Sequence, residues 1–214
     1  MKDGNSCLPP GEQRPRTIRE QFGNPTGPVG WLVGQVMAFK NAARSEWVLS
    51  LLSLESAEDI LEVGFGSGVD VRRVALRARG ARVAGVDRSS EMLRQARRRN
   101  AAEITGGRVD LRLGSTETLP FPDGGFDRAF SINSVQFWGD RHRCLRELRR
   151  VLRPGGIIAV AIQPRNKGAT AADSAVWRSR LQSDLTAAGF TEVRGMLSDA
   201  RPVPVACVLG KKAE

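Results

Sequence analysis

At 214 residues the chain has room for one α/β domain with a short extension, and two full domains would be cramped. Hydrophobic residues at 41% and charged residues at 26% suit a globular protein with a sizeable core, and no window approaches the roughly 18 uncharged apolar residues of a membrane span. The net charge of +10 raises polyanions as partners, but the basic residues are mostly arginines spread along the chain. The densest run, Arg97-Arg98-Arg99, has no interleaved Phe or Trp to stack on bases, so no specific nucleic-acid site is expected.

Residues 1–27, rich in Pro, Gly and charge, read as a flexible basic arm. They lack the apolar stretch of a secretory signal, which makes the cytoplasm the expected location. Residues 28–57 read as an N-terminal helical cap, with Trp31, Leu32, Met37, Phe39, Trp47, Val48, Leu51 and Leu52 giving Pro28–Leu54 an apolar side. From residue 58 to 214, short apolar strands alternate with longer amphipathic segments, as in a parallel sheet covered on both faces by helices.

The first strand, Ile60–Val63, runs into Gly64-Phe65-Gly66-Ser67-Gly68, and a helix over 69–79 follows. Glycines at such a turn tolerate positive φ and let a ligand approach the backbone. A dinucleotide fingerprint needs a third glycine where this chain has Val69; here the pattern is G-x-G-x-G, with the acidic Glu62 two residues before it. The next strand, Arg82–Val86, ends at Asp87, where a carboxylate accepts ribose hydroxyls in sheets of this kind. Asp87 is also placed to cap the helix expected over 89–103.

A strand at Asp110–Leu113 leads into Gly114-Ser115-Thr116-Glu117, and one at Arg128–Ile132 leads into Asn133. Both turns are expected at the carboxyl edge of the sheet, where open α/β folds bind ligands. A helix over 140–152, a strand at Ile157–Ile162 and a helix over 173–188 follow. Strands at Glu192–Met196 and Val203–Leu209, joined by a short turn, read as an antiparallel hairpin at one edge. Cys7, Cys144 and Cys207 are widely separated without a CxxC pair, so neither a disulfide framework nor a metal site is expected.

Together the glycine-rich loop, Asp87, Glu147-Leu148-Arg149-Arg150-Val151-Leu152-Arg153-Pro154-Gly155-Gly156 and Ala187-Ala188-Gly189-Phe190 resemble the class I S-adenosylmethionine-dependent methyltransferases. Within that class they are most similar to the small-molecule branch that includes enzymes of ubiquinone and menaquinone biosynthesis. The resemblance implies a Rossmann-like, seven-stranded, mostly parallel sheet with helices on both faces and an antiparallel C-terminal hairpin strand. It implies S-adenosylmethionine as cofactor, its methionine end held by Glu62, Gly64, Gly66 and Gly68, its ribose by Asp87, and its adenine near Arg88 and Met92. Ser115, Thr116 and Glu117 would face the adenine edge and Asn133 the sulfonium. One departure is Ser115, where the family often has Asp.

The acceptor side is quieter. In-line transfer from a sulfonium asks for alignment and exclusion of water, so no universal catalytic residue is expected. With no tyrosine, His142 is the sole neutral-pH base candidate besides carboxylates, and its helix start suits surface or capping duty. Asn133-Ser134-Val135-Gln136 lacks the prolines and aromatic residue of adenine-N6 and glutamine methylating enzymes. Gln136, Phe137, Trp138 and Gln163, with Trp31 and Phe39 of the cap, are candidate pocket residues. The reading is therefore a methyltransferase for a small-molecule or lipid-like acceptor. Alternatives are a phospholipid N-methyltransferase whose arm (Arg14, Arg16, Arg19) meets an anionic membrane, a nicotinamide-dependent reductase, and a cofactor-binding protein without catalysis.

Overall fold

A computed structural model of the chain describes residues 42–200 and 203–214. The expected basic arm, the cap up to residue 41 with Trp31 and Phe39, and Arg201-Pro202 lie outside the described residues. The first described helix, α1 (Ala42–Ser50), ends short of the expected Leu54, because Ser53 turns into the left-handed region at φ 47°. A 3-10 turn, Leu54–Ser56, carries the chain to β1.

Seven strands form one sheet: β1 (Asp59–Val63), β2 (Arg82–Asp87), β3 (Val109–Leu113), β4 (Phe126–Ile132), β5 (Leu152–Ile162), β6 (Phe190–Leu197) and β7 (Ala206–Lys212). Their order is β3-β2-β1-β4-β5-β7-β6. Pairing is parallel from β3 through β5, while β7 runs antiparallel to both β5 and β6. This is the Rossmann-like sheet with an antiparallel C-terminal hairpin that the resemblance implied.

The period-two alternation of the strands sorts the core into two layers. Ile60, Val83, Phe130, Ala159 and Cys207 pack on one face with Val48 and Leu49 of α1, Val71 and Val74 of α2 (Val69–Arg77), and Leu93 and Ala96 of α3 (Ser90–Arg99). Leu61, Ala129, Ile158, Val160 and Val208 pack on the other, against Leu145 and Leu148 of α5 (Arg141–Val151) and Leu181 and Leu185 of α6 (Ala171–Ala187). The described part of the cap thus shares the core of the sheet domain.

Three expected boundaries shift for local reasons. The helix expected over 89–103 breaks at Asn100, whose Nδ2 donates to the Gly68 carbonyl (3.0 Å) and to Ala96 (2.8 Å); a short α4 (Ala101–Thr105) follows. The last strand begins three residues later than expected, after Pro204, which has no N–H for the ladder; Val205 instead pairs with Ser198. At its start β5 is longer than expected, since Leu152 already pairs with Phe126 across a register shift.

Candidate active site

The strand order makes the gap between β1 and β4 the place where successive connections depart in opposite directions. In open α/β sheets that is where a crevice forms at the carboxyl ends of the strands. Here it holds a cavity walled by the loop after β1, the end of β2, the 114–117 turn and the 132–139 segment, with Arg44 entering from α1. Of the sequence candidates, Glu62, Gly64, Gly66, Asp87, Arg88, Met92, Ser115, Thr116, Glu117 and Asn133 all line it; Gly68 does not.

The three glycines share a positive φ (75°, 54° and 73°) yet meet different surroundings. Gly64 lies against Ser134, which occupies the space a Cβ would need, and its amide donates to Val86 (2.7 Å). Gly68 precedes α2 and sits on α3, where a Cβ would come within 2.6 Å of the Ala96 Cβ and 2.8 Å of its Cα. A Cβ on Gly66 would meet nothing within 4 Å, so Gly66 presents open backbone to the cavity.

Asp87 ties this loop to β2. Its Oδ2 accepts from the Gly66 amide and its Oδ1 from the Ser89 amide, each at 2.8 Å. The cap of α3 is Ser89 rather than Asp87, with the Ser89 hydroxyl accepting from the Met92 amide (3.3 Å). The Arg88 amide also bonds this carboxylate, which with about four lone-pair sites keeps capacity for a ligand hydroxyl.

Glu62 points to the α1/α2 face of the sheet and is 2% exposed, and its Oε2 has no hydrogen-bond partner. Burial first, then the neighbouring Asp70 and Asp87 carboxylates, pushes its carboxyl well above the usual range. Burial also raises Asp70 and Asp87. Three acids thus meet at one cavity wall, where a nearby positive charge would lower the cost of ionising them. Asp70 is held by the Ser45 hydroxyl (2.8 Å) and by Arg73, which joins α1 to α2.

Across the cavity, the Ser115 hydroxyl accepts from the Glu117 amide (3.1 Å), and Glu117 Oε1 accepts from the Asp140 amide (3.2 Å). Asn133 is itself left-handed (φ 54°), and its Oδ1 accepts from the Gln163 amide (2.8 Å), bridging the ends of β4 and β5. Phe137, 39% exposed, and Trp138 line the mouth, with the Trp138 indole donating to Ser134 (2.9 Å). Gln136 and Gln163 are outside the lining, although Gln163 meets Arg44. His142 lies away from the cavity, its Nε2 3.9 Å from Asp184 of α6. Arg44 and Asp70 escaped the sequence reading; for Asp70 the available signal was an acid one residue inside the helix that follows the loop, and Arg44 carried none.

Against known proteins, the methyltransferase-domain family matches residues 61–160. The uncharacterised methyltransferase YdaC of Bacillus subtilis is 30% identical over 181 residues, covering 85% of this chain and 98% of that protein. The chain belongs to the S-adenosylmethionine-dependent methyltransferases. The demethylmenaquinone methyltransferase of Thermus thermophilus is 38% identical over 120 residues, and the match spans 55% of this chain and 54% of that enzyme. The solved S-adenosylmethionine-dependent methyltransferase of Aquifex aeolicus shares the fold, with a TM-score of 0.64 at 20% identity over 79% of this chain and 89% of that one. Among the described residues of this methyltransferase, no helix is long and apolar enough to cross a membrane and no cluster of side chains is suited to a metal ion.

Proposed function

We propose that this methyltransferase moves a methyl group from S-adenosylmethionine to a small acceptor with an apolar body, by in-line displacement in the β1/β4 cavity. The observation that carries the donor assignment is the buried, unpartnered Oε2 of Glu62, set among carboxylates on a wall that a cationic amino-acid end would neutralise. When bound, S-adenosylmethionine supplies a methyl carbon activated by its sulfonium. Glu62 would accept from the ammonium, the open backbone at Gly66 would admit the chain, and the remaining acceptor capacity of Asp87 would take ribose hydroxyls. Arg88, Met92, Ser115, Thr116 and Glu117 border the adenine, and Asn133 the sulfonium.

For the acceptor, Phe137 and Trp138 at the mouth supply apolar surface, in keeping with a lipid-like or quinol-like molecule. His142 faces α6, Glu117 accepts from a backbone amide, and Glu62, Asp70 and Asp87 are assigned to the donor side, so the acceptor is one that brings its own readily lost proton or an uncharged amine. The test is calorimetric titration with S-adenosylhomocysteine, and with NADH in parallel, on wild type and Asp87→Asn. Asn is preferred to Ala because it keeps an acceptor for the Gly66 or Ser89 amide. Binding of S-adenosylhomocysteine that falls at least about tenfold in Asp87→Asn, without NADH heat, supports the donor reading. Silence with S-adenosylhomocysteine overturns it. Turnover is then screened on quinols, amines and phospholipid vesicles.

A further inference from the structure

We propose that Arg44 is the donor of an anion-binding subsite in the cavity wall, shaped for a carboxylate. Arg44 is 7% exposed and lines the cavity, yet its Nε has no hydrogen-bond partner. Among the described residues its hydrogen bond runs from Nη1 to the neutral Gln163 Oε1, at 3.3 Å. The nearest acid, Asp70, spends its oxygens on Ser45 and Arg73, and Arg44 forms no ion pair with any described carboxylate. A guanidinium buried this deeply normally has an anionic partner, because removal from water is costly. Burial, and then the nearby Arg165, pushes the Arg44 pKa down to about 9, against an upward pull from Asp70. The group is thus charged at neutral pH and short of negative charge.

Its surroundings are built rather than incidental. Gln163 is fixed on three sides: its amide donates to Asn133 Oδ1 and its Nε2 to the Val203 carbonyl, both at 2.8 Å, while its Oε1 faces Arg44. The Ser45–Asp70 hydrogen bond clamps α1 beside Arg44. A planar guanidinium fork held in one place suits a carboxylate, which accepts two parallel N–H bonds. The same cavity also holds the unpartnered Glu62 Oε2. One unmet acceptor and one unmet donor in a single cavity are the complement of an amino-acid zwitterion. Resting on the donor reading above, the carboxylate is that of the cofactor's methionine end; the other source of the same chemistry is a carboxylate or phosphate on the acceptor.

The experiment compares wild type, Arg44→Gln and Arg44→Lys by calorimetry. The probes are S-adenosylhomocysteine, its decarboxylated analogue and 5′-methylthioadenosine. The expected result is a loss of about 10- to 100-fold in S-adenosylhomocysteine affinity in Arg44→Gln, partly restored by Lys. The decarboxylated analogue and 5′-methylthioadenosine bind all three proteins alike. A second arm titrates acetate and inorganic phosphate into each protein, free and loaded with S-adenosylhomocysteine. Equal S-adenosylhomocysteine affinities, with saturable anion binding to the loaded wild type that Arg44→Gln loses, keep the subsite and assign it to the acceptor. If neither arm depends on Arg44, the proposal is overturned, whatever becomes of the donor reading. If 5′-methylthioadenosine and S-adenosylhomocysteine both fail on wild type, the donor reading falls, and anion binding to the free protein alone decides on Arg44. Thermal unfolding separates a structural role: removal of an unpaired buried charge leaves the melting temperature of the ligand-free protein unchanged or higher, and a fall in Arg44→Gln counts against the subsite.

Discussion

Gly66→Ala and Gly68→Ala are the same chemical change two residues apart, and the structure assigns them opposite consequences. Both place a Cβ on a left-handed residue, at a cost of about 1–2 kcal/mol. At Gly68 the new methyl also overlaps the Ala96 backbone and side chain of α3, where flexible atoms cannot yield, which adds about 1–3 kcal/mol. The sum of about 2–5 kcal/mol corresponds to a fall in melting temperature of roughly 4–20 °C for a chain of this size. At Gly66 the methyl enters open space, so the fall is limited to roughly 2–8 °C. That methyl does, however, occupy cavity volume, and S-adenosylhomocysteine affinity drops by at least about tenfold. Differential scanning calorimetry on both variants, with calorimetric titration at a temperature where both are folded, measures the two quantities. If Gly66→Ala is the less stable variant, or if Gly68→Ala is the one that loses more affinity, the division of labour among the glycines is wrong.

Glu62 predicts a proton linkage. Its carboxyl is raised in the free protein, and an ammonium beside it brings it back toward the ordinary 4.5, so binding S-adenosylhomocysteine releases up to one proton in the pH window between 4.5 and the raised value. Titrations in buffers of different ionisation enthalpy should show that release in wild type and lose it in Glu62→Gln. The same raised carboxyl means that the folded, ligand-free protein holds a proton the unfolded chain gives up. Its stability therefore falls as pH rises above 4.5, a trend that Glu62→Gln flattens in melting curves. Asp87→Ala strips the acceptor from the part-buried Gly66 and Ser89 amides and should cost about 2–4 kcal/mol in chemical denaturation, with Asp87→Asn losing less. Glu147 goes the other way: hydrogen bonds from Arg150, joined by the Leu119 amide, hold its carboxyl below 4.5. Its contribution is fully present above 4.5 and is lost as pH falls through the depressed pKa; with the side chain partly solvated, Glu147→Gln shifts acid stability by under about 1 kcal/mol.

The parts of the site that lie along one stretch of chain were readable in the sequence. Strand, glycine turn and helix follow one another from Ile60 to Arg77, and Asp87 falls at the end of the neighbouring parallel strand, so spacing alone places them at one sheet edge. What spacing does not carry is which residue meets which across the fold. All three glycines read as ligand-facing, and only the packing of α3 shows that Gly68 serves a helix contact. The sequence offered Asp87 as the cap of α3, whereas in the fold Ser89 caps it and Asp87 instead takes the Gly66 amide. Arg44 sits in a short helix of mixed polarity and reads as a surface residue; its burial follows from Val48 and Leu49 anchoring α1 on the sheet. The late start of β7 was the one boundary with a legible cause, Pro204, that outweighed the apolar run around it.

The position of β7 bears on how the protein is made. It is the last strand in the sequence, yet it is inserted between β5 and β6, with Lys212 donating to the Leu152 carbonyl (2.7 Å) beside the start of β5. While a ribosome makes the roughly 50 residues from Ile162 to Lys212, at about 5–20 residues per second, β5 waits for seconds with a bare edge and β6 with no neighbour at all. The parallel half of the sheet and its glycine loop are synthesised well before this step, but the wall that fixes Gln163 is complete only when the final strand slides into place. Loss of even a few residues from 206–212 would therefore act first on solubility during synthesis, and only afterwards on methyl transfer.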